Sequence, residues 1–471
     1  MFDLVIVGMG SAGVTAAEFA TRLDLDVAVV ERARVGGECL WTGCVPSKAL
    51  LATAKAAHTM RTAGRFGLEP VEPSIDLTRV WRRVRAVQAT IAAEDDDPQR
   101  FADLGAEVVA GEARLTSPEE VTVTLADGST RVLSTRFVLL CTGSQPHVPD
   151  IPGLPPGATW TNETFFDLDA PPASMAIVGG GPMGVEMAQA LRRLGLDVTV
   201  FQRSDMLLPH DEPAMVDRLT ALLRAEGVVV HCSADVRGVR SEGGLHVVDA
   251  VVGHDGQAVS VPVHGILIAA GRRPNTDFLG LEDVGVNVAP DGIVVDQAGR
   301  TNLRSVYAVG DVTAGRRLTN AAGYEAVVAV RDMFFPGRGA ADGTVPACTF
   351  TDPELARVGL TVEAAEARHG PDVDAWRLEL DRNDRARTDA ATAGCLMVVT
   401  AKGKVVGAHL LAPNAGEMVH ELAVAVQQEL RFEDLADVVH AYPTIAGGIG
   451  QLATEAAYEK AHRLRWLMKR R

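Results

Sequence analysis

An α/β fold with several domains is predicted by three observations. A strand, glycine turn, helix and second strand occur in order near the N-terminus; the same order returns 171 residues later (Gly8 against Gly179); and the chain has 471 residues. Domains usually hold about 100–150 residues and rarely grow past about 250, so roughly three cores are expected. Hydrophobic residues make up 47% and charged residues 23%, which supplies the apolar surface such cores need and excludes a disordered chain.

The first pattern places a strand at Leu4-Val5-Ile6-Val7, a turn at Gly8, Gly10 and Gly13, a helix over 14–23 and a strand over 26–31. Its glycines have separate tasks: a tight turn, close backbone approach to a pyrophosphate, and close helix packing, with the helix N-terminus facing the phosphate charge. Glu31 ends the second strand 23 positions after Gly8, where a carboxylate accepts hydrogen bonds from a ribose. The second pattern runs through Ala176-Ile177-Val178 to Gly179, Gly181 and Gly184, then a helix to Leu194 and a strand over 197–201. Both read as Rossmann-like units, so two dinucleotides are expected.

The copies differ at one informative place. Gln202 stands 23 residues after Gly179, where the first copy has Glu31, and Arg203 follows it. A carboxylate there binds the 2′-hydroxyl of NADH and repels the 2′-phosphate of NADPH, whereas a neutral amide beside an arginine accepts that phosphate. NADPH is therefore expected in preference to NADH.

A formal charge of −16 argues against a nucleic-acid partner, because such affinity comes from Lys and Arg neutralising phosphates. The basic exception, residues 462–471 with five Arg or Lys, reads as a solvated helix end. With an apolar strand starting at Phe2, no basic leader and no run long enough to span a bilayer, the expectation is a cytoplasmic protein without membrane insertion. The histidines His409, His420, His440 and His462 lack metal-ligand spacing, and no metal site is expected. Cys141, Cys232, Cys348 and Cys395 lie in or beside apolar segments and read as small core residues.

Cys39 and Cys44 are different. They sit in Gly36-Gly37-Glu38-Cys39-Leu40-Trp41-Thr42-Gly43-Cys44-Val45-Pro46-Ser47-Lys48, directly after the first unit. Two cysteines five apart can close a disulfide if a helix begins between them, and a cysteine near a helix N-terminus has its thiolate favoured. Lys48, four residues after Cys44, falls on the same helix face, so a thiolate and a cation face one ligand.

This segment between two dinucleotide units closely resembles the signature of the pyridine nucleotide-disulfide oxidoreductases, which include dihydrolipoyl dehydrogenase, glutathione reductase and mercuric reductase. The resemblance extends over essentially the whole chain. It implies FAD and a nicotinamide as cofactors, with Cys44 against the flavin and Cys39 as the interchange thiol that meets the substrate. It also implies Lys48 at the flavin edge, paired with Glu186. Thr142 and Gly143, and the run from Ala270 through Gly271 to Asn275, match the family's crossover motifs, and Tyr307-Ala308-Val309-Gly310-Asp311 matches its second flavin motif, with Asp311 on the ribityl chain. With proline-rich breaks near 146–156 and 336–346, the expected division is 1–147 and 273–342 for FAD, 148–272 for NAD(P), and an α+β dimerisation domain over 343–471 that makes a homodimer.

One departure bears on activity. Disulfide reductases of this family carry a late histidine before Pro-Thr and a glutamate five residues on, whereas here Tyr442 and Gly447 stand at those positions. A phenol with a pKa near 10 is a poor base at neutral pH, where an imidazole near 6.5 is well matched. His440, two residues from Tyr442, is a substitute base if the segment is an extended strand. Mercuric reductases also have a tyrosine here, but they pass metal on through C-terminal cysteine pairs, and no cysteine follows Cys395. The expected activity is an FAD-dependent NAD(P)H oxidoreductase delivering electrons to a small-molecule acceptor such as a quinone or metal ion. The alternatives are a disulfide reductase or dithiol oxidase using His440, and a flavin-binding redox sensor without turnover. Cys39, Cys44, Lys48 and Glu186 together speak against the sensor, which has no use for a cation and carboxylate at a flavin edge.

Overall fold

The computed structural model describes residues 1–337, 339–341 and 343–463, the side chain of Arg463 excepted. Residues 464–471 of the basic tail lie outside the described residues. The run Leu4-Val5-Ile6-Val7 is apolar at every position because its strand, Phe2–Val7, is central in a parallel sheet and buried on both faces. It pairs with Val27–Glu31 on one side and Thr130–Leu140 on the other, and Ala106–Ala110 extends the sheet beyond Val27–Glu31. Thr130–Leu140 also continues into an antiparallel meander with Glu120–Thr124 and Glu112–Ser117. The late strand Val306–Ala308 returns to this sheet, pairing in parallel with Thr130–Leu140, so the chain comes back to the first core after building a second.

That second core is a five-stranded parallel sheet in the order Val229–His231, Asp197–Phe201, Ser174–Val178, Gly265–Ile268, Thr159–Trp160. An antiparallel sheet of Ala234–Glu242, Leu245–Val252 and Gln257–Val263 packs beside it. The chain leaves and rejoins the first core through two short strands, Ser144–Pro146 and Arg272–Pro274, which pair antiparallel. The flanking motif residues tie this crossing shut: Thr142 Oγ1 donates to the Asn275 carbonyl (2.8 Å), and the Asn275 amide donates to the Thr142 carbonyl (2.9 Å).

The C-terminal part is a five-stranded antiparallel sheet in the order Ala347–Thr349, Glu354–Gly359, Lys404–Ala412, Cys395–Ala401, Val373–Glu379. Helices Ala415–Gln427 and Gly447–Arg463 share a core with it, built on residues such as Leu396, Leu410, Leu422 and Leu452. Together these are the α/β architecture that the glycine turns predict. Among the described residues no helix is long and apolar enough to cross a membrane.

Candidate functional site

Both glycine turns are held by the same device. Gly8 and Gly179 have φ of +97° and +116°, and a Cβ at either would strike a carbonyl oxygen, of Cys141 at 2.6 Å and of Ala269 at 2.2 Å. Gly13 and Gly184 let each helix close on its strand, since a Cβ there would lie 1.9 and 2.0 Å from the carbonyl oxygens of Gly8 and Gly179. Gly10 and Gly181 are unlike these. Their φ values, −78° and −75°, suit any residue, and a Cβ would meet one Cα at 4.0 Å at Gly10 and nothing within 4 Å at Gly181. Neither conformation nor packing demands glycine there, so the bare backbone serves something that approaches from the open side, as a pyrophosphate does.

The second-strand residues reach back to the turns. Glu31 accepts from the Met9 N–H (2.7 Å) and the Ala33 N–H (2.7 Å), while Gln202 Oε1 accepts from the Gly180 N–H (2.8 Å). Each Glu31 oxygen keeps a further lone pair for a ribose hydroxyl. The Gln202 amide keeps its N–H donors, and exposed Arg203 stands beside it. Both turns open into one cavity of about 1800 Å³, which Gly143, Gly271, Gly310 and Asp311 also line. That volume exceeds the roughly 300–1,000 Å³ of a single small-ligand pocket and leaves room for two dinucleotides.

Both cysteines line that cavity. Cys39 sits on the short helix Gly37–Trp41, and Cys44 is the first residue of helix Cys44–Arg61. The short helix is anchored from below. Helix Leu77–Glu94 buries Val80, Trp81, Val84 and Gln88 along one face, and the Gln88 amide donates to the carbonyls of Leu40 (3.2 Å) and Trp41 (2.6 Å). Both cysteines are free thiols here. Cys44 is drawn down to about 6 by the hydrogen bond from Cys39, with Thr319 and the Lys48 charge assisting against burial and Glu186. The same hydrogen bond pushes Cys39 up, so the proton rests on Cys39 and the negative charge on Cys44. The start of a long helix beneath Cys44 favours the same assignment.

Lys48 donates to Glu186 Oε2 at 2.9 Å and lies over the Phe350 ring, 4.6 Å from its centre. Glu186 is 3% exposed and its other oxygen accepts from the Phe350 N–H (2.9 Å), which fixes the pair across two elements distant in sequence. Asp311 accepts from Ser144 Oγ (2.6 Å) and lies 3.6 Å from Arg272 Nε.

Several features were not legible beforehand. Glu38 forms an ion pair with Arg272 and accepts from Asn162 (2.9 Å), on the cavity wall beside the cysteines. Cys348 packs against the C-terminal core as expected but also lines the same cavity, and burial with nearby Glu354 and Glu186 pushes its thiol up. Cys141 is buried but also borders the cavity.

Tyr442 and His440 do not share a face, because the segment around them is a loop rather than a strand. Tyr442 is 83% exposed and donates to Asp384 (3.1 Å), whose charge raises the phenol. The His440 ring packs against Gly450, with Nδ1 3.1 Å from the Val438 carbonyl and Nε2 3.2 Å from both oxygens of Glu421. Neither residue lines the cavity of its own chain, and Gly447 offers only its backbone N–H to Thr444 Oγ1 (3.0 Å). Among the described residues no group of three His, Cys, Asp or Glu is placed to hold a metal.

Comparison with known proteins agrees with this geometry. Residues 2–326 match the family model described as pyridine nucleotide-disulphide oxidoreductase, and residues 345–453 match that family's dimerisation domain. The chain is 33% identical to a dihydrolipoyl dehydrogenase of Chlorobaculum tepidum, over 97% of each chain. It is 34% identical to a mercuric reductase of Streptomyces lividans, over 94% of each. Among solved structures, LpdA from Mycobacterium tuberculosis superposes with a TM-score of 0.88 at 28% identity, covering 97% of this chain and 100% of that one. The Cu(II) complex of the HOCl-induced flavoprotein disulfide reductase RclA from Escherichia coli gives 0.85 at 26% identity, covering 96% and 99%. With two nucleotide turns, a paired thiol and thiolate and a lysine–carboxylate pair on one cavity, the chain belongs to the pyridine nucleotide-disulphide oxidoreductase family, an oxidoreductase that binds FAD and NAD(P)H.

Proposed function

We propose that this protein oxidises NADPH and delivers the electrons to a small acceptor, a quinone or a metal ion, rather than to a dithiol or disulfide. The observation that carries the reading is the pairing of a polarised Cys39–Cys44 couple with an exposed phenol, Tyr442, where the disulfide reductases present an imidazole. FAD, when bound, takes two electrons from the nicotinamide and passes them on. Gly8, Gly10, Gly13, Glu31, Thr142, Gly143, Gly310 and Asp311 hold it in this reading. Gly179, Gly181, Gly184, Gln202, Arg203 and Gly271 hold the nicotinamide nucleotide.

The side chains do the rest. Two electrons entering the oxidised pair break its S–S bond; one proton goes to Cys39, and Cys44 keeps the negative charge. Lys48, restrained by Glu186, places a positive charge near that thiolate. Exchange with a substrate disulfide also needs a base at the interchange thiol, and a phenol whose pKa a neighbouring carboxylate raises cannot serve at neutral pH. His440 has both ring nitrogens engaged and is a positioning residue of the loop. The match to a dimerisation domain supports a homodimer. The likeness to a mercuric reductase, and to a relative whose structure is a Cu(II) complex, supports a metal ion among the acceptors.

Steady-state oxidation of NADPH tests this. A quinone or a mercuric or cupric ion is expected to give kcat/KM at least about tenfold above lipoamide or glutathione disulfide. Comparable turnover of either disulfide overturns the acceptor assignment, and no turnover with any acceptor favours a sensor. The nicotinamide preference has its own test. NADPH should exceed NADH by about tenfold in kcat/KM, and Gln202→Glu should reverse the order by placing a carboxylate against the 2′-phosphate. A wild-type preference for NADH ends that assignment.

A further inference from the structure

Glu38 is placed where a second proton is needed. It precedes Cys39 directly, and its side chain folds back along the link between the cysteines, with Cγ 3.5 Å from where a Cβ on Gly43 would stand. Asn162 on the helix Asn162–Phe165 donates to it, and Arg272 on the strand Arg272–Pro274 pairs with it. That guanidinium is shared, because its Nε also lies 3.6 Å from Asp311 and donates to Ser144 Oγ (2.8 Å). Two carboxylates therefore lean on one cation, with the Cys44 thiolate and Glu163 adding further negative charge nearby. One guanidinium cannot compensate that many anions, and the least costly response is for a carboxyl to keep its proton.

We propose that Glu38 is the proton reservoir of the redox site, loading a proton when the cysteine pair is reduced and releasing it to the acceptor when the pair is reoxidised. This assignment rests on the proposed function and names how its missing acid–base partner is replaced. Reduction breaks the S–S bond with two electrons and takes up two protons, one from the hydride that the nicotinamide delivers and one from solvent, leaving a thiol on Cys39, a thiolate on Cys44 and a proton on Glu38. Reoxidation by a quinone balances: the S–S bond re-forms, two electrons pass to the quinone, and the protons of Cys39 and Glu38 make the hydroquinone. Glu38 returns to a carboxylate. One mercuric ion, or two cupric ions, take the electrons alone, and both protons go to solvent.

The local charges act in the required sense. Burial raises the Glu38 carboxyl to about 7, with Arg272 opposing and Asp311, Cys44 and Glu163 adding to the rise. The charge that appears on Cys44 on reduction is thus one of the things that makes Glu38 take a proton. In the reduced protein the carboxyl is half loaded near pH 7, fills as pH falls below that value and empties as pH rises through it.

The test uses the FAD-loaded protein and its Glu38→Gln and Glu163→Gln variants. In the reduced-minus-oxidised infrared difference spectrum near pH 6.5, the wild type and Glu163→Gln should gain a protonated-carboxyl stretch that Glu38→Gln lacks. In rapid mixing of the reduced proteins with oxidant, Glu38→Gln should be at least about tenfold slower with a quinone. With ferricyanide, which takes electrons without protons, it should stay within about twofold of the wild type. A carboxyl band that survives Glu38→Gln, or equal slowing with both oxidants, overturns the assignment and leaves Glu38 a packing residue. Absence of any thiolate-to-flavin absorption in the wild type would instead overturn the proposed function, and this inference with it.

Discussion

Replacing Cys44 with serine is expected to abolish the long-wavelength thiolate-to-flavin absorption of the two-electron-reduced protein, while leaving FAD bound. The band requires a sulfur that is negative at working pH, and Cys44 meets that condition because Cys39, Thr319 and Lys48 all favour its anion. A serine hydroxyl stays neutral in the same place. A thiol whose pKa is depressed to about 6 is a thiolate above that value, so the wild-type band should hold at pH 7 and fade as pH falls through about 6. Spectra of protein reduced anaerobically with one equivalent of NADPH decide the matter. A band that persists in Cys44→Ser, or that depends instead on Cys39, would assign the wrong sulfur. Cys39→Ser should lose turnover through the pair yet keep an absorbing thiolate on Cys44, with a higher pKa once the Cys39 hydrogen bond is weakened.

The largest loss of stability should follow Arg193→Ala. Arg193 closes the helix Pro182–Arg193 and is almost wholly buried. Its guanidinium grips Glu226 through two bonds of 2.7 Å and Asp352 through one of 2.8 Å, joining the second core to the C-terminal part. Gln189 completes the lattice by donating to the Asp352 carbonyl (3.0 Å). Truncation leaves two largely buried carboxylates with one fewer cation between them, Lys55 3.3 Å from Asp352 and the Gln189 amide 3.1 Å from Glu226 compensating in part. Breaking a buried pair from one side costs about 3–5 kcal/mol, which a urea midpoint would register plainly. Against burial, Arg193 and Lys55 hold Asp352 below its ordinary range. A depressed carboxylate contributes stability above its unfolded pKa and loses it as pH falls through the folded value. The gap between wild type and Arg193→Ala should therefore be widest at neutral pH and narrow below about pH 4. A shift in midpoint under about 1 kcal/mol would show that the lattice relaxes around the loss.

What the sequence exposed was local in character. The turns at Gly8 and Gly179 and the segment from Gly36 to Lys48 could be read because their geometry is dictated by residues a few positions apart. The Lys48–Glu186 pair was reachable only through family resemblance, since 138 residues separate the two. Glu38 carried no signal of its own: its meaning depends on Asn162 and Arg272, which reach it from other elements of the chain. Nor did Arg193, which looks like any basic residue closing a helix. The expected shared face of His440 and Tyr442 failed because alternation holds only for a strand, and this stretch is a loop pinned at both side chains. The second role of Cys348, as cavity wall, was hidden for a related reason, since an apolar neighbourhood in sequence says nothing about which side of a strand also borders open space.

The clasp from Glu31 or Gln202 back to its own turn separates two properties that are usually entangled. Either side chain supplies one oxygen to the amide of the glycine loop, at 2.7 Å in one unit and 2.8 Å in the other. The loop's shape is therefore indifferent to whether that oxygen belongs to an acid or an amide. The charge offered to a bound nucleotide can therefore be altered at either position, as Gln202→Glu would alter it, without loosening the turn beneath.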